Sequence, residues 1–336
     1  MKANTVRLAL VGSETLLGHE LKEVLESAPH TVIEGFAANG EANFGEEDGE
    51  AVFREALGSS ALEGVAYVIA AGSEEGSQKA LELVKASRGK LNLIDCTGHL
   101  EQQPEARICA PLLDQIESNS HWLWEMAHPA AVSIALLLTR LQKQNPIQRA
   151  IVEVFEPATE RGKPGVLELQ QQTTALLAFK TLEKQVFDTQ VSFNLLPAYG
   201  EEAKQKLDAI EQRIERHLAT LLAGSSKHGI AVPMPSLRLV HAPVFHGYTF
   251  SMWIEFAAIT TAEEIAQAVR SEEIEVRSVD EEPPSNVSVA GQSGLIAGDM
   301  RVDRNNPRAV WVWMVADNLR ITADSVAAII RKMERA

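Results

Sequence analysis

Cysteine is almost missing from this chain: Cys96 and Cys109 are the only two in 336 residues. That excludes a disulfide framework and a cysteine-rich zinc site. Positive charge is also scarce. Lys and Arg number 31 against 46 Asp and Glu, a formal net charge of −15. Nucleic acid and anionic membrane surfaces both demand a basic face, so neither is an expected partner. A small anionic ligand stays open, because a few arginines and backbone N–H groups suffice to hold one. Apolar runs such as Ile134 to Leu138 fall far short of the roughly 20 residues of a membrane-spanning helix. Met1 to Val11 lacks the layout of a signal peptide, since a glycine turn follows at once. A cytoplasmic, metal-free protein is expected.

What is present is alternation. The length suits two domains, each with its own core. Val6 to Val11 reads as a short buried strand ended by Gly12. Leu17, Leu21, Val24 and Leu25 then share one face of a helix over Gly18 to Glu26. Further strands are expected at Thr31 to Ala38, Ala66 to Ala71 and Leu91 to Asp95, with a helix from Gly76 to Ala86. This order predicts an α/β fold with a doubly wound parallel sheet, its crevice at the carboxyl ends of the strands. Beyond residue 130 an apolar helix, Ala131 to Gln142, is closed by Asn145-Pro146. Strands then dominate, at Arg149 to Phe155, Leu237 to Val244, Thr249 to Phe256 and Ala309 to Val315. Helices are expected at Leu167 to Leu177 and Glu201 to Leu222, and a loop at Lys227 to Gly229. A last helix, Ala323 to Arg331, is a candidate to dock on the first domain. The expected domains are residues 1–130 with 318–336, and residues 131–317.

Four groups of residues carry potential chemistry. Gly12-Ser13-Glu14-Thr15-Leu16-Leu17-Gly18 joins strand to helix, where a helix N-terminus holds phosphate. Yet Thr15 occupies the place of the middle glycine, and Glu14 adds negative charge. The turn reads either as a nucleotide-shaped pocket or as a structural bend. Asp95-Cys96-Thr97-Gly98 should lie at the crevice, with Cys96 a small buried hydrophobe before it is a nucleophile. His128-Pro129-Ala130-Ala131 opens a helix, a place where a cysteine would be activated, and His128 reads as a cap. His241, His246 and Tyr248 cluster around Pro243 and Gly247, and in an extended segment His246 and Tyr248 share a face.

Taken in order, VGSETLLG (11–18), AAGS (70–73), LIDCTG (93–98), AHPAAVS (127–133), FNLLPAYGEEAK (193–204), APVFHGYT (242–249) and ADNLR (316–320) resemble the aspartate-semialdehyde dehydrogenase family. Within it the chain is similar to the Usg proteins encoded alongside bacterial amino-acid biosynthesis. The resemblance implies a Rossmann-type domain plus an α+β, glyceraldehyde-phosphate-dehydrogenase-like dimerisation domain, and a homodimer. It implies NADP or NAD as cofactor, held by the 12–18 turn, Gly72 and Asn318. The family's reaction needs a cysteine thiolate, an acid–base histidine, an arginine for the substrate carboxylate and one for phosphate. By resemblance those positions carry Ala131, Tyr248, His241 and Glu101, and the family's Ser-Gly-Ala-Gly turn reads Thr159-Glu160-Arg161-Gly162. The Glu and Lys that start its substrate helix survive as Glu201 or Glu202 and Lys204. The expectation is a binding or scaffold protein without the dehydrogenase reaction, pairing with a biosynthetic enzyme. The alternative is an NAD(P)-dependent oxidoreductase, or another reaction in the same crevice.

Overall fold

Alternation along the first strand builds two cores at once. The computed structural model describes residues 5–28, 30–47, 50–87, 90–113, 121–227 and 229–335. The chain divides into two compact units, Met1–Ala127 with Thr322–Ala336, and His128–Ile321. In the first unit, strands β1 (Val6–Val11) and β2 (Thr31–Phe36) precede a separate hairpin of β3 (Asn43–Glu47) and β4 (Glu50–Arg54). Then come β5 (Tyr67–Ala70), β6 (Asn92–Asp95), β7 (Ala106–Cys109) and β8 (Leu123–Met126). All but the hairpin form one parallel sheet in the order β2-β1-β5-β6-β8-β7. Leu8 and Leu10 join Ile69, Ile94 and Trp124 on one face, under Leu21 and Leu25 of helix α1 (Leu16–Glu26) and Val326 and Ile329 of the C-terminal helix. Ala9 and Val11 point the other way, to Val68, Leu93 and the Ala80, Leu81 and Val84 side chains of helix α2 (Glu74–Ala86). Burial on both faces explains why these strands read as continuous apolar runs. Each large side chain so buried contributes about 1.5–3 kcal/mol.

The second unit is a mixed sheet. Its strands are β9 (Ile147–Glu156), β10 (Ser236–His241), β11 (Tyr248–Phe256), β12 (Ile274–Val276), β13 (Leu295–Val302) and β14 (Ala309–Ala316), in the order β10-β9-β11-β14-β13-β12. The two outer pairs are parallel and the three inner pairs antiparallel. Helices α3 (Pro129–Gln144), α4 (Gly162–Leu177), α5 (Leu207–Lys227), α6 (Ala262–Val269) and α7 (Asn286–Val289) belong here, and α8 (Asn318–Arg335) begins here. Val152, Val154, Met252, Ile254, Val312 and Met314 are buried on one face. Ile151, Phe155, Trp253, Trp311 and Trp313 alternate with them onto the other, where Ile151 and Trp311 stay exposed. Among the described residues no helix is long and apolar enough to cross a membrane.

Two expectations need correction. The helix expected from Glu201 starts at Leu207. The preceding residues are tied to another loop instead: the Glu202 N–H donates to Asp188 Oδ2 at 2.9 Å, and Lys206 Nζ donates to the Gly200 carbonyl. Glu201, Glu202 and Lys204 therefore form no helical pair. Helix α5 also runs through Lys227, where a loop was expected, and residue 228 lies outside the described residues.

The glycines of the first turn are required by the backbone. Gly12 has φ +91°, and a Cβ there would stand 2.6 Å from Ala71 and Gly72 backbone atoms. A Cβ on Gly18 would lie 2.0 Å from the Gly12 carbonyl oxygen. Gly18→Ala is expected to lose about 3 kcal/mol or more in urea unfolding, whereas Gly58→Ala, whose nearest neighbour is 4.0 Å away, changes stability by under about 0.5 kcal/mol. Equal effects at both positions would refute the close-approach argument.

Candidate functional site

A buried polar cluster forms inside the second unit, at one end of its central strands. His128 caps α3: its Nδ1 accepts the Ala130 N–H at 3.3 Å, and Pro129 takes the first helical position. The His128 backbone N–H donates to His217 Nδ1 at 2.8 Å, which places the His217 proton on Nε2. Ala131 is the third residue of α3 and fully buried. Strand β9 delivers Glu156, also fully buried, and the turn that follows delivers Glu160 and Arg161. Arg161 Nη2 reaches both Glu156 oxygens at 3.1 Å. The Tyr199 hydroxyl donates to Glu156 Oε2 at 2.6 Å, under the Arg161 guanidinium at 5.4 Å from the ring centre.

Hydrogen counting then fixes a tautomer. The Tyr199 hydrogen is committed to Glu156, so its 3.0 Å contact with His241 Nδ1 has the imidazole donating. His241 Nε2 is left a bare acceptor. It has no partner among the described residues, and neither does the Tyr248 hydroxyl beside His128. Asn318 closes the cluster: its Oδ1 accepts from Thr159 Oγ1 and the Gly247 N–H, and its Nδ2 donates to Glu160 Oε1 at 2.7 Å.

Burial decides the protonation of each member. Burial, then Arg161, pushes His241 down to about 3. Burial, then Arg213 and His217, holds His128 well below its ordinary value, so its 3.8 Å approach to Glu160 joins a neutral ring to a carboxyl group. Burial raises Glu160, with Glu156 adding to the effect. The Tyr199 and Tyr248 phenols are both lifted by burial first, so both stay protonated. Burial opposes the charge on Arg161 most strongly, but Glu156, Tyr199, Glu160 and Tyr248 together outweigh it. At neutral pH the cluster therefore offers hydrogen-bond donors and acceptors rather than a group poised to exchange protons.

In the first unit, the 12–18 turn is held by Thr15. Its hydroxyl caps α1 by accepting the Gly18 N–H and lies 2.9 Å from the Gly12 and Ala71 carbonyls. Ser13 Oγ accepts from Arg54 Nε at 3.1 Å, and Glu14 Oε1 accepts the Ala38 N–H at 2.8 Å. Leu16 and Leu17 open α1, while Gly72 lies where a Cβ would stand 2.4 Å from the Ala38 carbonyl oxygen. The Cys96 thiol is pushed well above its ordinary range by burial and then by Asp95. Glu101, half-buried, follows in the turn after β6.

Residues 138–321, more than half the chain, match the family model described as semialdehyde dehydrogenase, dimerisation domain. The chain belongs to the aspartate-semialdehyde dehydrogenase family. It is 26% identical to the aspartate-semialdehyde dehydrogenase of Rickettsia bellii over 56% of this chain and 55% of that protein. It is 27% identical to a USG-1 protein homolog of Azotobacter vinelandii over 72% of this chain and 73% of that one. The solved aspartate semialdehyde dehydrogenase II of Vibrio cholerae, complexed with ASA, superposes with a TM-score of 0.80 at 21% identity, covering 99% of each chain. The Candida albicans enzyme, solved with NADP, does so with 0.67 at 11%, covering 99% of this chain and all of that one. At these identities the structures establish the fold.

Of the family positions read from sequence, Ala131, His241, Tyr248 and Asn318 all lie buried in the second unit. Glu101 and the glycine turn lie in the first unit. His246 and Tyr248 do not share a face, because Gly247 at φ +80° turns the chain between them. His246 pairs with Asp317 at 2.7 Å, while Tyr248 is fully buried. Sequence reasoning missed Glu156, Tyr199 and His217 as members of the cluster. His217 was within reach of it, since it falls with Ile214, Leu218 and Leu221 on the buried face of α5.

The His241 shift makes a pH prediction. Its folded value lies below the 6.5 of an unperturbed histidine, so the unfolded chain binds the extra proton. The contribution is whole above that value and is lost as pH falls toward the folded one. Between neutrality and about pH 4 the loss from this residue is roughly 3 kcal/mol. His241→Gln should shrink the pH dependence of urea stability by that order, and an unchanged slope would rule the assignment out.

Proposed function

We propose that this protein is a family member that does not carry out the aspartate-semialdehyde dehydrogenase reaction and acts as a binding or scaffold protein. The observation that carries this reading is the absence of a thiol from the second unit. Both cysteines of the chain belong to the first, and the α3 N-terminus, where a thiolate would be activated, presents buried Ala131. The thiolate route to the aldehyde that the resemblance implies needs such a nucleophile. The acid–base position, taken by resemblance as Tyr248, holds a phenol that burial keeps protonated. Purified protein given aspartate semialdehyde, NADP and phosphate is expected to show no turnover above blank, and Ala131→Cys alone should not restore it. Turnover by the unaltered chain at an ordinary enzymatic rate, about 1 per second or faster, would overturn the reading.

The preserved Gly12 turn supports a second reading, noncovalent hydride transfer in the same crevice with NADP or NAD, as in an oxidoreductase of amino-acid biosynthesis. The carboxylate of Glu14 in that turn opposes it, since phosphate there meets like charge.

We also propose a homodimer formed through the second sheet, in keeping with the dimerisation-domain match. The outward face offers Ile151, Trp253, Trp311 and Trp313 on adjacent strands. The Trp253 and Trp311 indoles both donate to Asp303 Oδ2, which fixes them as a flat apolar surface. Trp311→Glu combined with Ile151→Lys should convert the dimer to monomer in sedimentation. A monomeric unaltered chain, or a dimer indifferent to the pair, removes this face as the interface.

A further inference from the structure

Residues 178–206 of the second unit contain neither helix nor strand, yet they carry apolar side chains on both sides. Phe187 and Val191 face inward, buried with Ala158 and Leu169, and Leu196 and Tyr199 pack against them. Phe193 and Leu195 do the opposite, with 66% and 59% of their surface exposed. An antiparallel bridge between Leu196 and His241 sets this division, since neighbours in an extended pair alternate in direction. Leu196 lies on the side of the buried His241, so Leu195 lies on the side that Val240 of β10 takes. Helix α4 adds to the same surface. Thr173 Oγ1 is 2.7 Å from Ser192 Oγ, and the exposed Leu177 stands one turn beyond Thr173 on that helix face. Phe179, in the turn that ends the helix, is 97% exposed. Phe179 and Phe193 sit at φ +54° and +59°, a backbone that bulky side chains rarely adopt, and neither ring is buried in return.

The charge pattern says what covers this surface. Residues 189–200 carry no charge, in a chain whose formal net charge is −15. A second acidic copy is repelled by most of the molecule and can approach where charge is missing. The patch lies within the residues that match the dimerisation domain, and through Leu195 it continues the outward face of the sheet at β10. Its four side chains expose on the order of 500 Å² of apolar surface, against about 800 Å² buried by each partner of a standard interface. The adjoining sheet face supplies the rest. The inner side of the same segment builds the polar cluster. The Leu196 N–H donates to the His241 carbonyl at 3.0 Å and the Gly200 N–H to the Phe187 carbonyl at 3.1 Å, on either side of Tyr199. Tyr199 in turn meets Glu156 and His241. A segment without a ladder of its own opens locally at low cost, and covering its outer side raises that cost.

We propose that a second copy of this chain covers Leu177, Phe179, Phe193 and Leu195, and that this contact fixes Tyr199 in the buried cluster, which is complete only in the dimer. The inference rests on the homodimer reading above and adds to it a second contact and a coupling to the cluster.

Sedimentation and amide hydrogen exchange of the full chain test it. Phe193→Ser with Leu195→Ser should raise the dimer dissociation constant about tenfold or more. The Leu196 and Gly200 amides should exchange about tenfold faster in the monomer, whether it is obtained by substitution or by dilution of the unaltered chain. Leu177→Asp with Phe179→Asp should weaken the dimer in the same way and serves if the first pair fails to fold. A dimer indifferent to both pairs overturns the contact, and equal exchange in monomer and dimer overturns the coupling. Dimer loss with these pairs but not with Trp311→Glu and Ile151→Lys upholds this contact and defeats the sheet face as the interface. The reverse pattern defeats this inference alone, and an unaltered chain that stays monomeric at high concentration defeats both.

Discussion

The ion pair between Glu156 and Arg161 sets the chemistry of everything around it in the second unit. Both side chains are almost wholly out of solvent, and two charges in that setting survive only through each other and through added hydrogen bonds. Glu156 receives three such bonds, two from Arg161 and one from Tyr199. The consequences spread outward by proximity. Tyr199, its hydrogen committed to Glu156, forces His241 to donate through Nδ1, and the Arg161 charge helps keep that imidazole neutral. Glu160, next in line, is raised by burial and by Glu156, which suits its close contact with a neutral His128. Removing Glu156 would leave a buried guanidinium uncompensated, a change that costs far more than the pair itself contributes.

Much of the scaffold was legible in the sequence because it depends on local period and on glycine. The runs Val6 to Val11 and Leu91 to Asp95 gave themselves away as parallel strands by their consecutive apolar residues, Leu8 to Val11 and Leu93-Ile94, as burial on both faces requires. The hairpin of β3 and β4 was not legible, since Glu41 to Glu55 is rich in acids and its strands stand apart from the main sheet. Strands β7 and β8 are no shorter than β5 and β6, but Arg107 and Glu125 interrupt their apolar runs. Helix α5 was placed too early because Glu201 to Lys206 has helical composition, and only the long-range tie to Asp188 overrides it.

The polar cluster was legible in part. Ala131, His241 and Tyr248 came from a motif match, whereas Tyr199 depends on tertiary structure that no spacing reveals. Its segment has no regular structure of its own and is pinned from α4. Gln172 Oε1 accepts the Val191 and Ser192 N–H groups, and Glu168 accepts those of Val186 and Phe187. Phe187 then packs against both Tyr199 and His241 at about 5 Å. Glu168 and Gln172, two buried polar residues in the middle of a helix, are the clamp that shapes the loop.

The glycine turn shows why a phosphate-binding motif is weak evidence by itself. Gly12 and Gly18 are demanded by the approach of α1 to β1 and of β1 to β5, contacts that exist whatever the crevice holds. Thr15 supports the same geometry by bridging toward the Gly12 and Ala71 carbonyls while capping the helix. Selection for the fold alone would keep all three residues. Glu14 is different, since no backbone constraint asks for a carboxylate there. Its side chain takes the Ala38 N–H on Oε1 and leaves Oε2 buried with no partner among the described residues. The carboxylate at that one position, unlike the glycines on either side of it, is therefore not explained by the fold of the turn.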